Sequence, residues 1–213
     1  MPTTRPFRRV LSCCCFRGPE SNHKWELARG AGAAAVVGLL SVALAACATG
    51  PKVEVPTLDE PSSITVTSRD FTNNGTLPSA YTCFGEGAFP AITWSNLPQG
   101  TQSVAVIVYD PDAKGGDYVH RLTADLDPKS KGLPDAGTPV DAVEFNTSAG
   151  KPGWAPPCPP KGSGIHHYVF WVLALDRVTR IPPETAQTQN VLLNVTSAAF
   201  AQGTITGTVD ARS

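Results

Sequence analysis

The residues best suited to chemistry in this sequence are histidines and aspartates that stand beside apolar runs. Asp110 and Asp112 follow the apolar run 103–109, and His120 comes eight residues after Asp112. Pro111, between the two aspartates, fixes a turn and lacks a backbone donor. Because a buried carboxylate needs a hydrogen-bonding partner and a nearby imidazole supplies one, we expect a polar site at the mouth of a strand.

A second candidate segment, 153–164, is rich in proline and glycine and leads into another apolar run. Four of its prolines surround Cys158, and a proline-rich loop can form a pocket wall with little entropy to lose. His166, His167 and Tyr168 open the following strand. If that strand is already regular there, His167 faces away from His166 and Tyr168, and we place it outside the site.

The elements that must position these residues are mostly strands. Runs rich in β-branched and apolar residues predict strands at 64–67, 91–94, 103–109, 118–126, 167–176 and 204–209. One stretch is typical of a helix: Pro183 and Glu184 suit a first turn, apolar residues recur from Val191 to Ala199, and Gly203 is expected to end it. We therefore predict a mainly β domain, antiparallel, with one C-terminal helix packed against the sheets.

Composition excludes several classes of protein. The 213 residues are 41% hydrophobic and 16% charged, which provides a packed core and argues against disorder. The chain has 20 prolines, 19 glycines and only 8% aromatic residues, which argues against a helical bundle. A net charge of −1 gives no sign of a nucleic-acid-binding surface.

The N-terminal region has the layout of a bacterial secretion signal. A basic stretch precedes the uncharged run 30–46, and Leu44-Ala45-Ala46-Cys47 resembles a lipobox. We expect residues 1–46 to be a signal peptide, Cys47 to be lipidated, 47–62 to be a flexible tether and 63–213 to be the folded domain. This places the protein on the extracytoplasmic face of a bacterial membrane, the alternative being a retained and marginal transmembrane helix.

Export leaves few cysteines to consider. Three of the six fall in the expected signal peptide, at positions 13–15, and Cys47 would carry lipid. Cys83 and Cys158 remain, in a compartment where disulfides persist. A bridge between them is possible, and two separate buried thiols are the alternative that the sequence leaves open.

The two segments around the histidines carry a family resemblance. Asp110-Pro111-Asp112-Ala113, then His120, then Pro157-Cys158-Pro159-Pro160 with His166-x-Tyr168-x-Phe170 resembles the phosphatidylethanolamine-binding protein family, in its bacterial Raf kinase inhibitor-like branch. The likeness covers about 65–209. It implies a large antiparallel sheet packed on a smaller one with a C-terminal helix, and a pocket for phosphate or phosphoethanolamine-like groups. Carried over by motif, the lining would be Asp110, Asp112, His120, Pro159, His166 and Tyr168.

Two positions depart from the family pattern. Lys114 stands where the family usually has proline, and Arg121 where it often has tryptophan. Both exchanges put a cation near the expected pocket mouth. They could strengthen anion capture, but we expect both side chains to be solvated residues of the rim.

The function predicted is a membrane-tethered, non-enzymatic protein that binds a small anion or a phospholipid headgroup and needs no cofactor. One alternative is a modulator of a partner kinase or protease. Another is a hydrolase that uses Asp110, His120 and His166, although no Gly-x-Ser-x-Gly elbow is present. No His-x-x-x-His spacing supports a metal site, and a possible pairing with Cys83 argues against Cys158 as a nucleophile.

Overall fold

A computed structural model describes residues 52–133 and 142–211 of the chain, and most of the regular structure there is strand. The expected signal peptide 1–46 and the lipidation site Cys47 lie outside the described residues. The strands and the helix, in chain order, are β1 (Thr65–Ser68), β2 (Gly75–Thr76), β3 (Ile92–Ser95), β4 (Ser103–Asp110), β5 (Tyr118–Leu126), β6 (Gly132–Leu133), β7 (Val143–Glu144), β8 (Ile165–Leu175), α1 (Thr188–Ala198) and β9 (Ala199–Asp210).

The strands of the described ranges form two sheets, as the sequence predicts. The smaller sheet has the order β1-β3-β6, and the larger one has the order β2-β9-β8-β4-β5-β7. Pairing is antiparallel except between the short β2 and β9, which run parallel. The result is a β-sandwich in which β8 and β4 are central strands of the larger sheet.

Two apolar clusters cover the two faces of the larger sheet. Trp94 of the smaller sheet packs in one cluster with Val106 and Phe170. On the other face, Val191 and Val195 of α1 pack with the side chains that β4 and β8 direct to that side. Because both faces of β4 are covered, its sequence is a continuous apolar run rather than an alternating one.

The C-terminal helix differs from its prediction at both ends. It begins at Thr188 rather than near Pro183, and it ends at Ala198, after which β9 starts at once. Gly203 therefore does not end the helix but lies within β9, where a Cβ atom would be 2.1 Å from the carbonyl oxygen of Ile64. The glycine allows β9 to approach the chain before β1, and pairing with β8 along eleven register positions outweighs the helical pattern.

The segment expected to be a free tether needs a similar correction over its described part. Residues 52–62 are extended, as expected, but they lie against the domain. Gln202 donates from Nε2 to the carbonyl oxygens of Leu58 and Glu60, over 3.2 and 2.7 Å. Val53 and Val55 pack on the cluster that includes α1. Backbone groups of this extended segment form hydrogen bonds with the domain. The composition of the segment alone does not predict these contacts.

Candidate functional site

The candidate site forms where the end of β4 meets the start of β8. The two strands are antiparallel neighbours, with Tyr109 opposite Val169. The last residue of β4 therefore lies beside the first residues of β8. Asp110 therefore lies next to His166 and Tyr168, which share one face of β8. Residues separated by more than fifty positions are brought together by strand register alone.

Asp110 and His166 form a buried pair. The Nδ1 atom of His166 lies 2.6 Å from Oδ2 of Asp110, and the two side chains are only 4% and 5% exposed. The other ring nitrogen of His166, Nε2, lies 2.8 Å from the Oγ atom of Ser163. The Ser163 hydroxyl is also 2.6 Å from the carbonyl oxygen of Pro160.

The Ser163 hydroxyl connects His166 to the proline-rich loop. A hydroxyl has one proton, and a carbonyl oxygen only accepts, so Ser163 donates to Pro160. Nδ1 of His166 faces the Asp110 carboxylate and Nε2 faces the Ser163 hydroxyl, so the ring is held from both sides.

Asp110 also accepts two further hydrogen bonds. The amide of Asp112 donates to its Oδ1 atom over 2.8 Å, and the hydroxyl of Tyr168 donates to the same carboxylate. Burial of Tyr168, together with the charge of Asp110 and this hydrogen bond, raises the pKa of the phenol far above its usual value. With three donors bound, the carboxylate has little capacity left to receive a ligand ammonium group.

His120 reaches the site through an irregularity in β5. Tyr109 pairs with Val119 and Val108 pairs with Arg121, so His120 is an extra residue between two register positions. Such a β-bulge turns a side chain in a direction that a regular strand does not allow. The imidazole ring lies against Tyr168, with the ring centres 5.1 Å apart.

The hydrogen bonding of His120 fixes its tautomer. Its Nδ1 atom lies 2.6 Å from the carbonyl oxygen of Ala155, which can only accept, so Nδ1 carries the proton. Burial lowers the pKa of His120 below its usual value, although the bond to Ala155 and the charge of Asp110 act in the opposite direction. The neutral ring therefore presents Nε2 as an acceptor.

These side chains surround a cavity of about 300 Å³. Five of the six residues predicted for the ligand site line it, together with residues of the β4–β5 loop and the proline-rich loop. The lining consists of Asp110, Ala113, Lys114, Tyr118, His120, Pro156, Cys158, Pro159, Pro160, His166 and Tyr168. Lys114 supplies a cation to the cavity, and the Tyr118 and Lys114 side chains are its available donors.

Asp112 is the predicted ligand residue that the structure does not place in the lining. Its Oδ2 atom accepts from the backbone N–H and from Nδ1 of His167, over 2.8 and 2.7 Å. Both side chains are about half exposed, outside the cavity. Strand alternation at His167 directs its ring outward, and Asp112 follows it because the Pro111 turn separates the two aspartates. Asp112 and His167 thus pair outside the cavity, and a role for Asp112 in ligand binding stays a prediction.

Arg121 is not a solvated rim residue, contrary to the prediction. It is 3% exposed, forms an ion pair with Glu144, and lies over the ring of Phe89 at 4.4 Å from the ring centre. The bulge at His120 turns both His120 and Arg121 toward the same apolar cluster, which holds Phe89 and Tyr168. Arg121 thus stabilises the interior, and only Lys114 of the two unusual cations reaches the cavity.

The proline-rich wall is held by a disulfide. Cys83 and Cys158, 75 positions apart, are joined in the structure, with their Cα atoms 5.3 Å apart. The amide of Cys83 also donates to the carbonyl oxygen of Pro157 over 2.9 Å. Cys158 lines the cavity, so this bridge ties the wall to the segment around Cys83.

Sequence reasoning missed Tyr118 and Ser163. Tyr118 could have been found, because it lies two positions before His120 and is the first residue of a predicted strand. Nothing in the sequence indicated Ser163, because its contact with His166 depends on a turn. In that turn the amide of Ser163 donates to the carbonyl oxygen of Pro160. Within the described ranges, no group of three or more His, Cys, Asp or Glu side chains could hold a metal ion.

Comparison with known sequences identifies the family. The sequence profile of the phosphatidylethanolamine-binding protein family matches residues 67–210. The chain belongs to this family. The match covers both halves of the candidate site, from the segment before β4 to the last strand, so the cavity is built entirely from residues of the family domain.

Relatives in several bacteria extend this assignment. The chain is 34% identical to LppC of Mycobacterium tuberculosis, which is named as a lipoprotein, over 147 residues that cover 69% of this chain and 72% of the relative. It is also 34% identical to a UPF0098 protein of Aquifex aeolicus, with 67% and 85% covered. In the described part of this phosphatidylethanolamine-binding protein family member, no helix has the length and apolar character that a bilayer crossing requires.

Solved structures of the family share the fold. The structure of Escherichia coli YbcL, a member of the mammalian PEBP family, has a TM-score of 0.63 at 32% identity and covers 69% of this chain and 98% of its own. The PEBP homologue CT736 of Chlamydia trachomatis also has a TM-score of 0.63, at 29% identity, covering 70% and 97%. Both likenesses agree with the two-sheet sandwich and the helix described above.

Proposed function

We propose that this protein is a membrane-tethered, non-enzymatic binding protein whose cavity takes a phosphate group or a phosphate-bearing headgroup. The observation that carries the proposal is the set of donors and charges in the cavity. Lys114 and Tyr118 line it together with the buried His166. A phosphate has several strong acceptor oxygens and matches such a set of donors.

The state of Asp110 favours phosphate over the ammonium end of a zwitterion. Its carboxylate already accepts from His166, from Tyr168 and from the Asp112 amide. A ligand ammonium would have to displace one of these donors and would meet Lys114 at the same cavity. We therefore expect the phosphate part of a headgroup to provide most of the affinity.

The proposal is tested by calorimetric titration of the full-length protein, in a maltoside detergent, with inorganic phosphate and then phosphoethanolamine. The expected result is saturable binding of both, weakened at least tenfold by Lys114→Met, which removes about 1.4 kcal/mol of binding free energy. The control is Lys129→Met, a change in a loop outside the cavity. Equal affinities in all three proteins would contradict the proposal.

Hydrolysis is the alternative that a specific contact suggests, because Asp110, His166 and Ser163 form a chain of hydrogen bonds. A serine nucleophile needs the histidine as a base that accepts its proton. In this chain the Ser163 hydroxyl instead donates to the carbonyl oxygen of Pro160. This arrangement supports binding over catalysis. Steady turnover of a panel of carboxylic and phosphoric esters, lost in Ser163→Ala, would contradict the non-enzymatic proposal.

The membrane tether is the second part of the proposal. It is supported by the sequence Leu44-Ala45-Ala46-Cys47 and by the similarity to LppC, which is named as a lipoprotein. The two or three acyl chains of a lipoprotein provide stable attachment. Mass spectrometry of the purified protein should find acyl chains on Cys47, and Cys47→Ser should release the protein from the membrane fraction. An unmodified Cys47 would contradict this part.

A further inference from the structure

The first described residues run along the loop that forms one side of the cavity. The amide of Asp117 donates to the carbonyl oxygen of Val53 over 3.1 Å, and the amide of Val55 donates to Oδ2 of Asp117 over 2.6 Å. Asp117 belongs to the β4–β5 loop, which also brings Lys114 to the cavity. Lys52 and Val53, at the start of the described residues, therefore lie beside the loop that borders the cavity.

This contact is built into the loop. Gly116 has a φ angle of +136°, and a Cβ atom there would be 2.6 Å from Cγ of Lys52 and 2.9 Å from the Val53 carbonyl oxygen. Further along, Glu54 and the α1 residue Gln189 exchange two hydrogen bonds of 2.9 Å. The segment is held at several points, so its direction past the cavity is fixed by the fold.

The distance from here to the proposed lipid anchor is short. Lys52 is five positions after Cys47, and a fully extended chain spans about 3.5 Å per residue, which gives a reach of about 17 Å. The headgroup layer of a bilayer leaflet is itself about 6 Å thick. A domain attached by this segment keeps the cavity mouth within reach of lipid headgroups.

The surface around the mouth has the chemistry of a membrane-facing surface. Phe84 is 64% exposed and lines a second cavity of about 230 Å³, which also includes Lys161 and shares Pro159 with the first. Lys114 lines the first cavity together with Pro159. Exposed aromatic rings enter the interface of a bilayer, and lysines are attracted to the phosphates of anionic lipids.

We propose that the docked segment 52–55 holds the cavity mouth against the bilayer in which the protein is anchored, so that the ligand is a phospholipid headgroup of that same bilayer. This inference rests on the proposed function, and in particular on acylation of Cys47. Phe84 enters the interface, while Lys114 and Lys161 face lipid phosphates. The last turn of α1, which lies at the opposite end of β8 from His166, points away from the membrane.

Hydrogen exchange of the acylated full-length protein tests this orientation. The protein is compared in vesicles of phosphatidylethanolamine and phosphatidylglycerol and in maltoside micelles. Slower exchange in the vesicles is expected in the segments 83–85, 113–118 and 160–164, with no change in the last turn of α1. Protection that is absent, or that falls on the last turn of α1, would overturn the inference.

Two further variants distinguish the effect of the anchor position from nonspecific membrane binding. Twenty Gly/Ser residues inserted before Lys52 lengthen the connection about fivefold and should lower the effective concentration of the mouth at the bilayer about tenfold, with a matching loss of protection. Phe84→Ser should also reduce protection, whereas Leu193→Ser, a matched change at a 52% exposed apolar residue of α1, should not. Unchanged protection in the insertion variant would overturn the inference.

The same samples distinguish failure of this inference from failure of the proposed function. Phosphate titration of the Phe84→Ser and insertion variants should give the wild-type affinity, because neither change touches the lining of the first cavity. If phosphate binds and Cys47 is acylated but no protection appears, the orientation is wrong. If Cys47 carries no lipid or phosphate does not bind, the proposed function fails first.

Discussion

The Nδ1 atom of His120 lies 2.6 Å from the carbonyl oxygen of Ala155, and this contact determines what the histidine offers a ligand. Because Nδ1 donates to the carbonyl, the neutral ring has only an acceptor, Nε2, for the cavity. The backbone bond is reciprocal, since the amide of Ala155 donates to the carbonyl oxygen of His120 over 2.9 Å. The orientation of the ring is therefore fixed, and an anion obtains a donor from His120 only when the ring gains a proton.

This arrangement predicts that anion binding takes up a proton. The pKa of His120 is lowered, chiefly by burial, so the ring is neutral at pH 7 in the free protein. Affinity for sulfate, which keeps the same charge between pH 8 and pH 5, should rise as the pH falls, by up to tenfold per unit while one proton is bound. Calorimetry across this range measures it. His120→Gln should flatten the profile, and a flat profile in the wild-type protein would refute the coupling.

The buried pair of Asp110 and His166 should be important for stability. Asp110→Asn takes the buried carboxylate away from His166, Tyr168 and the Asp112 amide, and the expected loss of unfolding free energy is about 3 kcal/mol. The matched control is Asp112→Asn, which removes a half-exposed pairing with His167 and should cost less than about 1 kcal/mol. Urea unfolding of both variants provides the comparison. Equal losses would show that burial of the first pair has no special effect.

Arg121 and Lys114 should separate stability from binding. Arg121→Met leaves Glu144, 13% exposed, without this cation and should cost about 3 kcal/mol of unfolding free energy while leaving phosphate affinity unchanged. Lys114→Met should lower the phosphate affinity and leave the unfolding free energy unchanged, because Lys114 is exposed and lines the cavity. Thermal unfolding and phosphate titration of the two proteins measure both quantities. Loss of affinity in a stably folded Arg121→Met protein would contradict the assignment.

The disulfide should support both the fold and the cavity. Replacing Cys83 and Cys158 together by alanine releases a connection across 75 positions, with an expected loss of about 4 kcal/mol of unfolding free energy. Because Cys158 lines the cavity, phosphate affinity should also fall at temperatures where the variant remains folded. Cys47 is kept in both proteins, so that the variant and the wild-type protein differ only in the disulfide. An unchanged melting temperature would show that other contacts hold the wall.

Sequence patterns predicted the parts of the fold that depend on long apolar runs. The run 103–109 gave β4 almost to the residue, and 118–126 matches β5. The helix ends were not predictable, because Gly203 serves the close approach of β9 to Ile64 rather than a helix terminus. That approach is a tertiary contact, and local propensity carries no information about it.

The site was predictable where motifs fix both residue type and strand face. Asp110, His166 and Tyr168 line the cavity because strand register places them together. The burial of Arg121 was not predicted, because the bulge at His120 changes the alternation of side chains along β5. Nothing in the sequence of β5 indicates the extra residue. The pairing of Asp112 with His167 was not predicted either, since the direction of the Asp112 side chain depends on the turn at Pro111.

The central claim, a phosphate-binding cavity that includes His120 and His166, is tested most directly by an NMR titration. Imidazole ¹H–¹⁵N correlations of the full-length protein are followed as inorganic phosphate is added. Saturable shifts are predicted for His120 and His166, with none for His167, whose ring pairs with Asp112 outside the cavity. The absence of shifts up to millimolar phosphate, or equal shifts at His167, would contradict the account.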